Sequence, residues 1–308
     1  MTGSRGTAVA VALCAAVAAG CGLGPGMETG EVELTVTRDY GREQLAAGTQ
    51  EAAESDTVLR LLDREADVET RYGGGFVQSI DGLSGGSEGG RRYDWFFYVN
   101  GIESPVGSAD YEPTGGDRIW WDYRDWSSAM RAPAVVGSFP QPFLDGFRGE
   151  RWETEVVCLD VAAACELVRD RLAAGGVEAQ MIERLAAADD GAIRVLVGTW
   201  SRVRIDRAAG LLSAGPDRSG VFARFEGASL ELLDQRGSVV LTAGEAGLVA
   251  AVRPGQGPPT WLVTGTAPGT VATLAAPLFG EEQLRDRYAL AVTAASEPIG
   301  LPAGEEGE

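Results

Sequence analysis

Residues 93–102 read Tyr-Asp-Trp-Phe-Phe-Tyr-Val-Asn-Gly-Ile, and they are the most informative segment for the fold of the first half of the chain. Its first seven residues are rich in aromatic side chains, which favour an extended strand. Asn100-Gly101 then stands between two apolar residues. Both positions of a two-residue hairpin turn need a positive φ, which Asn and Gly tolerate best. The stretch therefore predicts a β-strand that reverses sharply, at the only Asn in the chain.

The segments around this hairpin predict a small domain over residues 31–126. Alternation of apolar and polar residues predicts further strands at 31–38, 77–80 and 117–124. A helical period places Val58, Leu61, Leu62 and Ala66 on one face. Asp56 is the expected N-cap of that helix, and the glycine- and serine-rich residues 82–90 predict a loop. We expect a mostly antiparallel, β-grasp-like β/α domain.

The rest of the chain predicts a second domain. Residues 127–152 contain three prolines and no sustained period, which is typical of a linker. Residues 153–296 alternate strand-like and helix-like segments, including a helix over 161–174, and predict a mixed α/β domain. The acidic tail, residues 297–308, is expected to be disordered. The expected fold class is α+β.

The composition excludes several classes of function. The net charge of −19 disfavours nucleic-acid binding. The chain has no His and no Lys, which removes Ser-His-Asp triads, Schiff-base chemistry and the usual zinc ligands. Carboxylate-only catalysis remains open, but the acidic residues are typical of solvated faces. We therefore predict a protein that is not an enzyme, with no catalytic residues, no metal site and no required cofactor. Arg in place of Lys suggests a GC-rich genome, such as that of an actinobacterium.

Residues 1–21 have the layout of a signal peptide. Arg5 precedes an apolar run that ends at Ala-Ala-Gly-Cys21, and small residues before a Cys are typical of a lipoprotein cleavage site. Lipidation of Cys21 would anchor the exported protein to the outer face of the cell membrane, with residues 22–30 as a flexible tether. A plain secretory signal and an uncut membrane anchor are the alternatives, because Ala18 stands where Leu is usual.

Cys158 and Cys165 remain after such processing. Two nearby Cys residues in an exported protein usually oxidise, and here one would lie at a strand end and the other early in the following helix. We predict a Cys158–Cys165 disulfide, with buried free thiols as the alternative.

Ten of the 23 aromatic residues lie between residues 93 and 126. In a strand Trp95 and Phe97 face one way and Phe96 and Tyr98 the other, and Trp120 and Trp121 likewise face opposite ways. A one-helix domain can cover only one face of its sheet. An exposed aromatic face that binds a ligand or partner is therefore expected, unless the second domain or the linker covers it.

Several motifs follow one another in an order that resembles a known family. They are residues 31–41, Thr57–Leu62, Val77–Gly82, Trp95-Phe-Phe-Tyr-Val-Asn-Gly101 and Gly116-Asp-Arg-Ile-Trp-Trp121. Together they resemble a bacterial surface domain of unknown function, the 4430 family. That domain is similar to the C-terminal β-domain of intrinsic factor and transcobalamin, the cobalamin carriers, and it accompanies energy-coupling-factor vitamin transporters. The resemblance covers residues 31–126, about a third of the chain.

The resemblance implies a small-molecule ligand, cobalamin or another corrinoid or vitamin, with ligand-facing elements at Trp95–Gly101 and Ser104–Gly107. Together with the aromatic cluster this indicates the following ligand-binding residues: Trp95, Phe97, Tyr98, Asn100, Gly101, Ser104, Trp120 and Trp121. The carriers grip cobalamin against a helical barrel that this chain lacks, so the second domain or a separate protein would supply the other side.

Two functions follow. The first is an extracytoplasmic lipoprotein that binds a ligand for uptake through a membrane transporter. The second is a non-enzymatic cell-envelope module that docks on a protein or glycan through its aromatic face.

Overall fold

The computed structural model describes residues 28–72, 75–185 and 191–304. The predicted signal peptide, the Cys21 lipidation site and the tether as far as residue 27 lie outside the described residues. The strands of the first half are β1 (Glu28–Arg38), β2 (Glu43–Ala53), β3 (Val68–Arg71), β4 (Phe76–Ile80), β5 (Leu83–Ser84), β6 (Gly86–Glu88), β7 (Arg91–Val99), β8 (Ile102–Glu103) and β9 (Arg118–Asp125), with helix α1 (Val58–Asp63) between β2 and β3.

These strands form the expected α+β, β-grasp-like arrangement. The main sheet has the order β2-β1-β9-β7-β6, with β8 paired to β7. Strand β1 pairs antiparallel with β2 and parallel with β9, and β9 pairs antiparallel with β7. Helix α1 and the small sheet β3-β4-β5 lie against one face, where Val58, Leu61 and Leu62 join the core. The predicted mostly antiparallel β/α domain is confirmed, and part of the expected loop 82–90 forms β5 and β6.

Helix α1 begins one residue later than the sequence predicts. Its N-cap is Thr57, whose hydroxyl accepts from the Arg60 N–H. Asp56 is buried instead; its carboxylate accepts from the Ala53 N–H at 2.9 Å and pairs with Arg64 at 2.5 Å. The Asp56 carboxylate can be buried because it is paired with Arg64. The uncharged Thr57 hydroxyl caps the helix without such an ion pair.

The second half contains strands β10 (Glu153–Cys158), β11 (Gln180–Ile182), β12 (Ala192–Thr199), β13 (Ala223–Glu226), β14 (Ser229–Leu233), β15 (Val239–Ala243), β16 (Ala246–Val252), β17 (Thr260–Gly265), β18 (Ala289–Thr293) and β19 (Ile299–Leu301). Its helices are α2 (Ala162–Ala174), α3 (Trp200–Val203), α4 (Pro216–Ser219), α5 (Pro268–Thr270), α6 (Ala276–Leu278) and α7 (Glu281–Leu284), with a 3-10 helix at Ala209–Ala214 and a π-helical turn at Val271–Ala275. Among the described residues, none of these helices is long and apolar enough to cross a membrane.

The large sheet of this half has the order β11-β10-β12-β17-β16-β18-β19. The strands from β11 to β17 run parallel, and those from β17 to β19 run antiparallel. Helix α2 contributes Val168 and Leu172 to the core on one face, while Leu230 and Leu232 of β14 belong to the core on the other. The predicted mixed α/β domain is thus a sheet buried on both faces.

Two expectations for the connecting and terminal segments are corrected. Residues 127–152 form no long helix or strand, but they are not a free linker: the Phe143 ring lies 5.0 Å from Trp261, and Phe147 lies 5.7 Å from Tyr111. In the tail, Ile299–Leu301 pairs with β18, and Leu301 and Ala303 are buried. The expectation of disorder was wrong there because an unpaired edge of β18 was available.

Candidate functional site

The first face of the aromatic sheet is covered by its own domain. Phe97 stacks on Trp121 at 4.9 Å, and the Trp95 indole donates to the Leu83 carbonyl at 2.8 Å. Trp95 and Trp121 are 5% and 2% exposed, so this face offers little surface to a ligand. These residues form the core beneath α1.

The second face is covered by the second domain. Tyr98 and Trp120 are buried, and their rings lie 5.6 and 5.3 Å from Tyr288. The Tyr98 hydroxyl donates to the Tyr288 hydroxyl at 3.0 Å. Tyr40 contacts both Tyr288 and Phe222, at 5.0 and 5.3 Å. The expected exposed aromatic face is therefore absent from this part of the sheet, and the alternative, cover by the second domain, is confirmed.

Two buried charged residues, Asp122 and Arg124, lie within this contact. The Asp122 carboxylate accepts from the Thr37 hydroxyl at 2.6 Å, the Tyr288 hydroxyl at 2.9 Å, and the Tyr40 and Gly41 N–H groups at 3.1 Å. Burial raises the pKa of Asp122 to about 6, although these hydrogen bonds and the charge of Arg124 oppose the rise. Such a carboxylate needs several donors to remain charged without water.

Arg124 balances this carboxylate and is itself buried. Its guanidinium lies 3.8 Å from the centre of the Phe96 ring and donates to the Ala129 carbonyl at 2.8 Å. Asp122, Arg124 and Tyr288 were missed by the sequence reasoning. A signal existed for the first two: they follow Trp120 at a spacing of two, so polar and aromatic residues share one strand face.

The hairpin residues have a structural role. Asn100 and Gly101 have φ values of 54° and 74°, as the turn predicts. The Asn100 amide donates to Asp117 at 2.7 Å and to the Gly146 carbonyl at 2.8 Å, and it is fully buried. Ser104 donates to the Val106 carbonyl at 2.8 Å. The eight predicted residues are thus divided among two cores and a turn, and they do not converge on one opening.

An opening does exist beside the start of β7. This cleft, of about 290 Å³, is here called the first-domain cleft. It includes Tyr93 and Trp126, two half-exposed members of the predicted aromatic cluster. Its lining residues are Arg71, Gln78, Gly85, Gly86, Ser87, Arg92, Tyr93, Asp94 and Trp126.

The first-domain cleft combines aromatic surface with hydrogen-bonding groups. The Arg92 guanidinium lies 3.9 Å above the Trp126 ring, and Tyr93 stacks on Tyr123 at 5.7 Å. The Asp94 carboxylate accepts from the Trp95 N–H at 3.1 Å, and burial raises its pKa. Cation, carboxylate and ring therefore stand together at one surface, held by the strand pairing of β6 with β7.

Two other places in the structure are weaker candidates for a binding site. The carboxyl edge of the second sheet could meet an anion at Thr199, but Asp160 already accepts from the Thr199 N–H at 2.9 Å and from its hydroxyl at 2.5 Å. A cavity of about 270 Å³ lies at Asp110, Tyr111 and Asp117. Among the described residues there is no group of three or more side chains suited to hold a metal ion.

The predicted disulfide between Cys158 and Cys165 is confirmed. It joins the end of β10 to the first turn of α2, with the two Cα atoms 5.6 Å apart. Disulfides persist in oxidising compartments, so this bond is compatible with an exported protein.

Comparison with known proteins adds a family for the first domain. Residues 55–125 match the family model "Domain of unknown function (DUF4430)". A solved structure described as that of a "putative metal binding protein from Ruminococcus gnavus ATCC 29149" is 15% identical, with a TM-score of 0.25, and the match covers 31% of this chain and 97% of that one. A likeness this low carries no argument about function. No curated protein matches the chain. The family assignment from the sequence motifs is confirmed over residues 55–125, where the chain carries the domain of unknown function DUF4430.

Proposed function

We propose that this protein is an exported, non-catalytic binding protein of the cell envelope, and that its first domain binds a glycan in the first-domain cleft. The observation that carries the proposal is the lining of that cleft. Trp126 and Tyr93 stand beside Arg92, Asp94 and Gln78 in a shallow opening.

The lining suits a sugar for a chemical reason. One face of a sugar ring presents C–H groups that pack on aromatic rings, while its hydroxyls both donate and accept hydrogen bonds. Arg92 supplies donors, the Asp94 carboxylate accepts, and Gln78 can do both. Trp126 supplies a rigid apolar surface beside them.

A corrinoid at the hairpin fits less well. Tyr98, Asn100 and Gly101 are buried, so the surface that the resemblance indicates is already occupied by the chain itself. The first-domain cleft, at about 290 Å³, is at the lower limit for sites that enclose a small molecule. One or two sugar units of a longer polymer match this size better than a macrocycle does.

Export and the lack of catalysis rest on separate observations. The signal-like residues 1–21 and the Cys158–Cys165 bond support export. The absence of His and Lys from the sequence supports a binding role. A lipid on Cys21 would hold the first domain near the membrane, where it would meet envelope glycans or a transporter.

A glycan array probed with residues 28–308, followed by calorimetry of each positive oligosaccharide and of cyanocobalamin, tests the proposal. We expect micromolar to millimolar binding of an oligosaccharide, at least tenfold weaker in Trp126→Ala and largely retained in Trp126→Phe. Ile205→Ala, which changes an exposed apolar residue of the second domain, is the matched control. Binding of cyanocobalamin alone, insensitive to Trp126→Ala, would contradict the proposal.

A further inference from the structure

The second domain contains a cavity of about 410 Å³. It lies at the amino ends of β12 and β17, beneath the loop that joins β16 to β17. We call it the second-domain cavity. It is lined by Glu150, Ala192, Arg194, Arg207, Ala208, Pro254, Gly255, Gln256, Gly257, Pro258 and Thr260.

Two arginines line the second-domain cavity, and they differ in their pairing. Arg194 is buried and forms an ion pair with Asp206 at 2.6 Å, so its charge is balanced. Arg207 is exposed and forms no ion pair with any residue that the structure describes.

A third arginine holds the loop above the cavity. Arg253 is only 7% exposed, and its guanidinium donates to the carbonyls of Gly257, at 2.7 Å, and Gln256. It has no carboxylate partner within the described part of the chain; burial and the nearby Arg131 lower its pKa. Arg253 therefore turns two loop carbonyls inward and adds positive charge behind the loop.

The loop leaves its N–H groups available. In the described residues, the N–H groups of Gly255, Gln256 and Gly257 donate to no protein acceptor. The N–H of Gly257 points opposite to the Gln256 carbonyl across a trans peptide, and so away from Arg253. Successive free N–H groups beside an arginine are the usual composition of an anion site.

We infer that the second-domain cavity binds a small organic anion through a carboxylate or phosphate group held by Arg207 and the loop N–H groups. Glu150 is the one acidic side chain in the lining. It repels a bare anion but accepts a hydrogen bond, so the anion that fits carries a hydroxyl group as well. Arg253 is a positioning residue, because it acts through the loop.

Titration of ¹⁵N-labelled residues 28–308 with citrate, inorganic phosphate and glycerol, followed by NMR, tests this inference. We expect the amide signals of Gly255 and Gly257 to shift saturably with citrate or phosphate and not with neutral glycerol. Arg207→Gln should weaken binding about tenfold. Arg204→Gln, which changes an exposed arginine outside the cavity lining, should leave the affinity unchanged.

The variant Arg253→Gln separates positioning from direct contact. We expect it to move the Gly255 and Gly257 signals without ligand and to weaken binding, while the thermal transition still shows a folded protein. Absence of saturable shifts with both anions, or equal weakening by Arg204→Gln, would overturn the inference. Trp126→Ala should have no effect here, so failure of the glycan proposal would be distinguishable.

Discussion

Asp122 lies within the contact between the two domains, where its carboxylate is fully buried and accepts from four hydrogen-bond donors. Its neighbours in the contact include Arg124, which stays charged, and Tyr40, Tyr98 and Tyr288, whose pKa values burial raises further. Asp122, with a pKa of about 6, is therefore a residue of this contact whose protonation changes between pH 4 and 7.

The raised pKa of Asp122 predicts a pH dependence of stability. The folded protein keeps the proton up to about pH 6, whereas the unfolded chain loses it near the ordinary value of 3.8. The contribution of Asp122 to the free energy of unfolding is therefore greatest below pH 4 and falls as the pH rises to 6, by about 3 kcal/mol. The variant Asp122→Asn should lack this dependence of the free energy of unfolding on pH.

Urea unfolding at pH 4 and pH 6.5, in the native protein and in Asp122→Asn, measures the difference. Other carboxylates contribute equally to both proteins and cancel. Asp122→Asn is expected to be less stable overall, because an amide nitrogen cannot accept from the Tyr40 or Gly41 N–H. The same change with pH in both proteins would contradict the prediction.

Strands were predictable where their residues alternate or where aromatic residues dominate. Strand β7 and its Asn100-Gly101 turn follow directly from local sequence. Strand β2, with the sequence Glu-Gln-Leu-Ala-Ala-Gly-Thr-Gln-Glu-Ala-Ala, shows no such pattern. It forms a strand because its backbone pairs with β1 over residues 28–38. This pairing stabilises an extended conformation that its own side chains do not favour.

The Cys158–Cys165 bond stabilises the junction of β10 and α2. It closes a loop with a sequence separation of 7, so the loss of loop-closure entropy predicts a stabilisation of about 2 kcal/mol. The double variant Cys158→Ser, Cys165→Ser should therefore unfold at a lower denaturant concentration. Chemical denaturation of the two proteins measures this. The native protein under a reducing agent is the control, because it lacks the disulfide but does not carry the two serine hydroxyls. No change in the midpoint would contradict it.

The second domain covers one face of the main sheet of the first domain. Tyr98 and Trp120 face Tyr288, and the connecting segment packs against both cores. The apolar residues of the two halves therefore form continuous clusters, and we expect the protein to unfold as one unit.

Residues 28–126 alone are expected to expose the face that holds Phe96, Tyr98 and Trp120. An exposed aromatic patch of this kind promotes self-association. Sedimentation velocity and binding of a hydrophobic dye should show association for residues 28–126 and a monomer for residues 28–308. The double variant Tyr98→Ser, Trp120→Ser should reduce the association of the short fragment. A short fragment that stays monomeric and folded would contradict the prediction, because it would show that the aromatic face does not need cover by the second domain.

The features that depend on local chemistry were predictable from the sequence: the strands with clear alternation, the helical face of Val58, Leu61 and Leu62 in α1, the turn at Asn100-Gly101 and the nearby pair of cysteines. These follow from φ preferences and side-chain periods within a few residues. The tertiary structure decided which aromatic face is buried. The Tyr98–Tyr288 contact joins residues 190 positions apart, and no local period encodes such a pairing. The two proposed binding sites consequently lie elsewhere, in the cleft that includes Trp126 and in the cavity that includes Arg207.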